Sequence, residues 1–379
     1  MGGGSLISRS KWRSRVVLLS LAAGAVILQW VLEETRTPIR QRDYELKLAA
    51  AEKADEAFEV VRDYFRLEGA VVDMANDPSG TGLIGPETSL ITNAYGNLES
   101  KLCTLNPNMA AHVVELFKRA GLRSGDLVAV SLSGSFPGMN IAVFAAMDVM
   151  GLRPIITSSV GASNWGATDP EFTWLDMERL FEQKGVFKYR SIAASHGGGD
   201  DMGRGLSPLG RQKILDAMDR NGVRQLVSAN LDEAIVKRMA FYEEESRGRL
   251  FRAFVNVGGG LAAIGSSQNR SLIPPGLSFD LGPKNWTRKG VLILMAEKGI
   301  PVIQLLNMAE IAEEAGLPLT PEDLPVPGEG DVFSKSSYRL GLSFIFFVLY
   351  SALCVFVLAP EIRQGVFDRV RGKMDGDAI

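Results

Sequence analysis

The sequence predicts an α/β fold, with a mainly parallel sheet covered by helices on both faces and flanked by an N-terminal and a C-terminal transmembrane helix. Long uncharged apolar segments lie near both ends of the 379-residue chain. Between them, short apolar strands alternate with longer helices. This alternation indicates right-handed crossovers, which build a parallel sheet with both faces covered.

Two apolar segments are long enough to cross a bilayer. Residues 16–32 and 340–359 carry no charged side chain, and a spanning helix needs about 20 predominantly apolar residues. The first segment also has features of a cleaved signal peptide, because small residues at 23–25 follow a basic start. Its apolar sequence continues beyond them to Leu32, which favours an uncleaved anchor.

Basic residues predict the orientation of both segments. Residues 1–15 include four cations directly before the first segment, and residues 360–379 carry a second basic cluster. The positive-inside rule places such clusters in the cytoplasm. We therefore expect both termini to be cytoplasmic and the long segment between the spans to be extracytoplasmic.

The segment after the first apolar run predicts a long amphipathic helix. In residues 43–67, apolar side chains recur at intervals of three and four among Ala, Glu and Lys, which is the helical pattern. The helix occupies most of residues 33–70. The sequence leaves open whether it is a stalk, a dimerising helix or a flank of the α/β domain expected in residues 71–338.

The extracytoplasmic segment then changes repeatedly between the strand and helix periods. The predicted strands are 127–132, 154–157, 225–227, 253–257 and 302–305, and the predicted helices are 108–120, 141–150, 168–183, 207–221, 231–245 and 288–297. Thr168 and Glu171 form a capping-box pattern, and Ser207 with Pro208 marks another helix start. Parallel sheets bind ligands at their C-terminal strand ends, so the loops there are the candidate site.

Composition excludes several classes of function. The chain has 41 Lys and Arg against 44 Asp and Glu, which argues against a nucleic-acid partner, since phosphate binding normally needs a basic excess. Two cysteines rule out a disulfide-dense scaffold and an all-thiolate zinc site. The sequence requires no cofactor, although carboxylate sites for a divalent cation stay open.

The first candidate loop follows the strand 127–132. Ser133, Gly134, Ser135 and Asn140 combine a short Gly/Ser loop with a helix start, an arrangement that binds carboxylates, phosphates or oxyanions. Ser135 is also a candidate catalytic nucleophile, although its surroundings depart from the G-x-S-x-G order of hydrolases. A tight turn with Ser and Asn as helix caps explains the same residues.

The second loop, residues 158–167, follows the strand 154–157 and is rich in small residues. Ser159 and Ser163 are candidate ligand-binding residues, because small side chains permit close backbone approach. Trp165 is able to stack on a ligand or close a pocket. The alternative is a tryptophan that covers the core beneath the loop.

The third loop, residues 195–205, holds the densest set of polar residues and glycines. Its glycines, including Gly198, suit an anion nest. Asp200 and Asp201 are candidate ligands of a divalent cation, and His196 is a candidate catalytic acid or base. A solvated surface loop is the competing interpretation.

The fourth loop closes the strand 253–257 with Gly258 and Gly259, which are further candidate ligand-binding residues. The loop lacks the G-x-G-x-x-G order and the lysine of a P-loop, so the sequence supports neither a dinucleotide nor an ATP site. The four loops form a single site only if they converge on one pocket.

Five stretches of the sequence resemble a bacterial family, the poly-γ-glutamate system proteins. They are 77–85 (DPSGTGLIG), 131–142 (SLSGSFPGMNIA), 158–178 (SSVGASNWGATDPEFTWLDME), 195–208 (SHGGGDDMGRGLSP) and 254–262 (FVNVGGGLA). The resemblance implies a membrane-associated accessory protein of the machinery that makes and exports a poly-γ-glutamate capsule or slime. It implies a process in the bacterial cell envelope and brings no established catalytic residue or cofactor.

Two functions from different classes follow, and a purely structural role as a membrane subunit is the third option. In the first, the domain binds poly-γ-glutamate or the subunits of its synthase and exporter, with Arg204 as a counter-charge, while two helices contact membrane lipid. In the second, the domain is a hydrolase or transferase acting on γ-glutamyl amide bonds. Ser135 as nucleophile, or a metal at Asp200 and Asp201, would then act with His196 as base.

Overall fold

The computed structural model describes residues 5–69, 72–319 and 324–376. Its helices are α1 Ser5–Glu34, α2 Tyr44–Glu68, α3 Leu98–Leu102, α4 Met109–Arg119, α5 Pro137–Val149, α6 Trp174–Lys184, α7 Pro208–Arg220, α8 Leu231–Ser246, α9 Leu261–Ile264, α10 Val291–Glu297, α11 Met308–Ala315 and α12 Leu340–Gly376. Its strands are β1 Thr37–Arg40, β2 Thr92–Ala94, β3 Leu127–Ser133, β4 Arg153–Ser159, β5 Ala162–Ser163, β6 Ala193–Ser195, β7 Arg224–Gln225, β8 Ala253–Val257, β9 Gly276–Ser278, β10 Val302–Leu305 and β11 Ser334–Ser337. The outermost predicted cytoplasmic residues (1–4 and 377–379) and the predicted domain boundary at 70–71 lie outside the described residues.

The larger of two compact units, Gln41–Ser334, is built on a seven-stranded sheet. The strand order is β7-β6-β4-β3-β8-β10-β9. Only β9 runs antiparallel to its neighbour, and the five other pairs are parallel. The predicted α/β fold with a mainly parallel sheet is therefore confirmed.

Alternation along the central strand explains why helices cover both faces of this sheet. Val128, Val130 and Leu132 of β3 join a core with α2, α4 and α5. Leu127 and Ala129 point the other way, into a core with α8, α9 and α10. Successive strand residues face opposite sides, so a fully buried strand needs a helical layer on each side.

The amphipathic helix predicted in residues 43–67 is observed as α2, and it is a flank of the domain. Ala50, Ala54 and Ala57 are fully buried, as is Val61. These small side chains allow α2 to pack closely against α4, α5 and α6. The run of alanines therefore marks a helix–helix contact inside the domain.

Two predicted helix starts, at 141 and 168, are wrong by four residues or more. The helix predicted from 141 begins at Pro137. The helix predicted from residue 168 begins at Trp174, because Thr173 caps it and forms a capping box with Asp176. Thr168 instead donates from its hydroxyl to the carbonyl of Pro86 at 2.5 Å. The sequence thus contains two candidate capping boxes, at 168–171 and 173–176. The helix begins at the second, because the Thr168 hydroxyl is bound to Pro86.

The smaller unit contains both apolar helices. Val16–Glu34 of α1 and Leu340–Val357 of α12 have mean hydropathies of 2.0 and 2.5, and neither window is buried. Within this unit Tyr350 donates a hydrogen bond to the carbonyl of Leu21 at 2.6 Å. The two helices are long and apolar enough to cross a membrane, as the sequence predicts.

Candidate functional site

A cavity of about 490 Å³ lies at the C-terminal edge of the sheet, and all four predicted loops line it. The lining residues are Ser133 at the end of β3 and Ser135 after it, Ser159 at the end of β4 with Gly161 and Ser163 after it, Gly198 and Gly199 after β6, and Gly259 and Gly260 after β8. The chain builds the sheet from β3 towards β7 and then returns to add β8 beside β3. Such reversals of strand order open a crevice in parallel sheets, and the cavity lies at this one.

A further wall comes from residues 93–101, none of which is among the predicted site residues. Asn93, Tyr95 and Asn97 line the cavity, together with Ser100 and Lys101. The wall is held in place because β2 pairs in parallel with β5, setting Ala94 opposite Ser163. It brings a fully exposed tyrosine ring and a lysine to the cavity.

Lys101 is the most unusual side chain of the site. It is only 1% exposed, and its Nζ contacts the carbonyl of Ser135 and lies 2.7 Å from the hydroxyl of Ser163. The ring centroid of Phe136 is 3.8 Å away. Within the described parts of the chain no carboxylate pairs with it, and burial lowers the pKa of Lys101 to about 7.

The cavity favours anions. Arg270 is its second cationic residue and lies against Gly259, where a Cβ would come within 3.1 Å of Arg270 Nη2. None of the lining residues in the described segments is acidic. A ligand carboxylate would therefore meet positive charge and glycine backbone without a competing protein carboxylate.

Some residues of the first loop, which follows β3, line the cavity, and others form hydrogen bonds that hold the neighbouring loops in place. Ser135 accepts a hydrogen bond from the backbone N–H of Ser163 at 3.1 Å, and Ser133 donates to the carbonyl of Val257 at 3.2 Å. Asn140 is fully buried, does not line the cavity and donates to the carbonyl of Ser133 at 2.9 Å. At Gly134 a Cβ would come within 2.6 Å of the Val160 carbonyl, so this glycine permits loop contact and does not line the cavity.

Two predicted ligand-binding residues, Trp165 and Gly258, do not line the cavity either. Trp165 packs against the main core, which favours the alternative that it covers the core beneath its loop. Gly258 has a φ of +93°, and a Cβ there would lie 2.4 Å from the hydroxyl of Ser133. It therefore permits close packing of β8 against β3.

The carboxylates of Asp200 and Asp201, the predicted ligands of a divalent cation, form ion pairs with two different arginines. Asp201 is 2% exposed and forms an ion pair with the equally buried Arg238 at 3.0 Å. It also accepts hydrogen bonds from Ser195 at 2.8 Å and Ser159 at 3.2 Å. Asp200 pairs with Arg204 at 3.0 Å.

His196 and Arg204 also lie outside the cavity lining. The carbonyl of His196 accepts the N–H of Gly161 at 3.0 Å, so its backbone braces the second loop. Burial lowers the pKa of its imidazole, and within the described residues the hydrogen bond of the Ser135 hydroxyl is to the backbone of Ser163. Arg204 is 75% exposed and already paired, which removes it as a cavity counter-charge.

The structure adds four residues that the sequence analysis missed. Lys101, Arg270 and Tyr95 line the cavity, and Arg238 anchors Asp201 below the ends of β4 and β6. A lysine in an otherwise ordinary short helix and an arginine on a helical face give no local sequence signal. Both acquire a role only through the neighbours that the fold supplies.

Comparison with known proteins adds no assignment. No protein-family model matches the chain. No curated protein matches it either.

Proposed function

We propose that this chain is a membrane-anchored accessory protein whose α/β domain binds poly-γ-glutamate near the complex that makes and exports it. The observation that carries the proposal is the cavity, in which Lys101 and Arg270 face no acidic residue among the described lining residues. A γ-linked glutamate chain presents one free carboxylate per unit. The exposed guanidinium of Arg270 is able to bind such a carboxylate in a bidentate manner.

The family resemblance supports the same proposal. Four of the five stretches that carry it, 131–142, 158–178, 195–208 and 254–262, supply residues that line the cavity. Residues that define the resemblance are thus concentrated around the cavity that contains Lys101 and Arg270. A purely structural membrane subunit gives no reason for that concentration.

The proposed location is the bacterial cytoplasmic membrane, with both termini cytoplasmic and the domain outside. The apolar side chains of both terminal helices support a lipid environment, because Trp30, Phe344 and Phe356 are 63%, 68% and 80% exposed. The basic residues before the first span support the orientation. Protease added to spheroplasts should degrade the domain while sparing tags at both termini, and protection of the domain would contradict the orientation.

Titration calorimetry of the detergent-solubilised full chain with poly-γ-glutamate tests binding. Arg270→Gln should weaken the affinity at least about tenfold, since a charged hydrogen-bonded contact contributes roughly 1.5–3 kcal/mol. Arg204→Gln is the matched control, because Arg204 lies outside the cavity lining, and it should leave the affinity unchanged. No heat of binding for the wild type, or equal effects of the two variants, would overturn the proposal.

An α-linked polyglutamate of the same length separates specific binding from general attraction to a polyanion. It carries the same charge per residue but spaces its carboxylates differently along the backbone. We expect weaker binding of this polymer at every salt concentration. Equal affinity for the two polymers would reduce the proposal to nonspecific anion binding.

A further inference from the structure

We propose that the same cavity catalyses acyl transfer, with Ser163 as the nucleophile and Lys101 as its general base. The bond attacked is an amide or ester in a substrate that carries a carboxylate. This substrate class rests on the proposed function, whereas the assignment of nucleophile and base rests on the geometry around Lys101.

The contacts of Lys101 place its amine directly against the hydroxyl of Ser163. Two of its neighbours, the carbonyl of Ser135 and the ring face of Phe136, are acceptors for its two N–H bonds. The third neighbour is the hydroxyl of Ser163 at 2.7 Å. The structure records Lys101 Nζ as the donor to that hydroxyl. In the neutral amine a lone pair replaces one N–H, so the same contact then places Lys101 to accept the hydroxyl proton.

The surroundings keep the amine available as a base. Lys101 is almost fully buried, and within the part of the chain that the structure describes it has no acidic partner. Burial penalises the ammonium form and lowers the pKa to about 7. At neutral pH a large share of molecules therefore carries the free base, which an ordinary exposed lysine does not provide.

Ser163 is held where the cavity and the lysine meet. It lines the cavity, is 7% exposed and belongs to the short strand β5 that pairs with β2. Its backbone N–H is held by the hydroxyl of Ser135 at 3.1 Å. Ser135 is thus a positioning residue for Ser163, and its own hydroxyl has no described contact with Lys101.

The reaction balances without any co-reactant other than water or an acceptor amine. Ser163 Oγ bonds to the substrate carbonyl carbon while its proton passes to Lys101 Nζ. The carbon–nitrogen or carbon–oxygen bond then breaks, and the Lys101 ammonium returns that proton to the leaving group. Water or an amine attacks the resulting Ser163 ester, Lys101 accepts the incoming proton, and the proton finally restores the Ser163 hydroxyl.

A fluorophosphonate probe, which modifies activated serine hydroxyls, tests the assignment on the detergent-solubilised full chain. Mass spectrometry should find one adduct, mapped to Ser163, and none in Ser163→Ala. The labelling rate of the wild type should rise with pH through about 7. Lys101→Met should label at least about 100-fold more slowly at pH 8, the usual minimum for loss of a general base.

An adduct at Ser135, no adduct at all, or a rate that does not change between pH 6 and 8 would overturn the inference. The wild-type pH profile keeps the test decisive even if Lys101→Met does not fold. Binding of poly-γ-glutamate by Ser163→Ala separates the two proposals, because this variant retains Lys101 and Arg270. Polymer binding by a wild-type protein that forms no adduct at Ser163 would reject only acyl transfer. An adduct at Ser163 in a wild-type protein that does not bind the polymer would reject only the proposed ligand.

Discussion

Two adjoining segments, residues 195–205 and 93–101, differ in what they contribute to the cavity, and the difference is the reverse of what their sequences indicate. The first contains a histidine, an arginine and two aspartates, yet among them none lines the cavity. The second contains one lysine and no other ionisable side chain except Tyr95 and Glu99, yet it supplies the buried amine. The number of reactive side chains in a loop is therefore a poor guide to where the chemistry lies.

The difference is explained by partners. Asp201 and Lys101 are almost equally buried, at 2% and 1% exposure. Asp201 has Arg238 beside it, so its charge is neutralised and its role is structural. Lys101 has no such partner in the described residues. An unpaired buried ionisable group is costly to keep, which makes it the better candidate for function.

The largest expected effect would come from breaking the ion pair below the first segment. Asp201→Ala leaves Arg238 buried and uncompensated, which typically costs about 3–5 kcal/mol. Asp200→Ala, one residue away, removes only a surface pair and should cost less than about 1 kcal/mol. Guanidinium unfolding of the full chain in detergent measures both, and equal losses would contradict the contrast between paired and exposed carboxylates.

A smaller loss of stability is expected when a side chain is added to the second segment, residues 93–101. At Gly96 a Cβ would come within 2.6 Å of the Asn164 carbonyl and 3.2 Å of Ser163 Oγ. Gly96→Ala should therefore destabilise the domain by about 1–3 kcal/mol, as overpacking commonly does. Gly260→Ala is the control, since its φ is −56° and its nearest contact would be 3.8 Å away; equal unfolding midpoints would show that Gly96 is not under constraint.

The sequence predicts more of the fold than of the candidate site. The strands β8 and β10 are observed at their predicted bounds, because apolar runs between helices carry a strong local signal. The edge of the sheet that binds ligands also follows from parallel topology alone. These features depend on periodicity, which a single sequence contains.

The site residues depend on contacts between segments distant in sequence. Lys101 meets Ser163 across 62 positions, and Arg238 meets Asp201 across 37. Neither contact leaves a pattern within any window of neighbouring residues. Glycines are misread for the same reason, since Gly134 and Gly258 look like ligand cradles but are required by packing between loops.

Removing the buried amine should stabilise the protein. The pKa of Lys101 is about 7 in the folded state against an ordinary value of 10.5. Between these values the unfolded chain binds more protons, so wild-type stability rises with pH from about 7 to 10.5. Lys101→Met should gain about 0.5–2 kcal/mol at pH 7, a gain that shrinks towards pH 10.

Unfolding free energies of both proteins at several pH values measure this gain. Glu99→Gln is a control on the same short helix, because Glu99 does not line the cavity, and it should not change the pH slope. A Lys101→Met variant that is less stable than the wild type at pH 7 would show that the amine is a structural element.

The smallest effect on stability, and the sharpest contrast with binding, is expected at Tyr95. Its side chain is fully exposed although it lines the cavity, so Tyr95→Ala should change the free energy of unfolding by no more than about 0.5 kcal/mol. The ring offers an apolar face to the methylene groups of a bound polymer. Loss of the ring should weaken binding of poly-γ-glutamate about three- to tenfold, or roughly 0.7–1.4 kcal/mol.

Leu250→Ala is the control. It removes an 82% exposed side chain outside the cavity lining and should change neither the free energy of unfolding nor the affinity for the polymer. If Tyr95→Ala binds the polymer as tightly as the wild type, the second segment acts through Lys101 alone, and the cavity mouth contributes nothing to recognition.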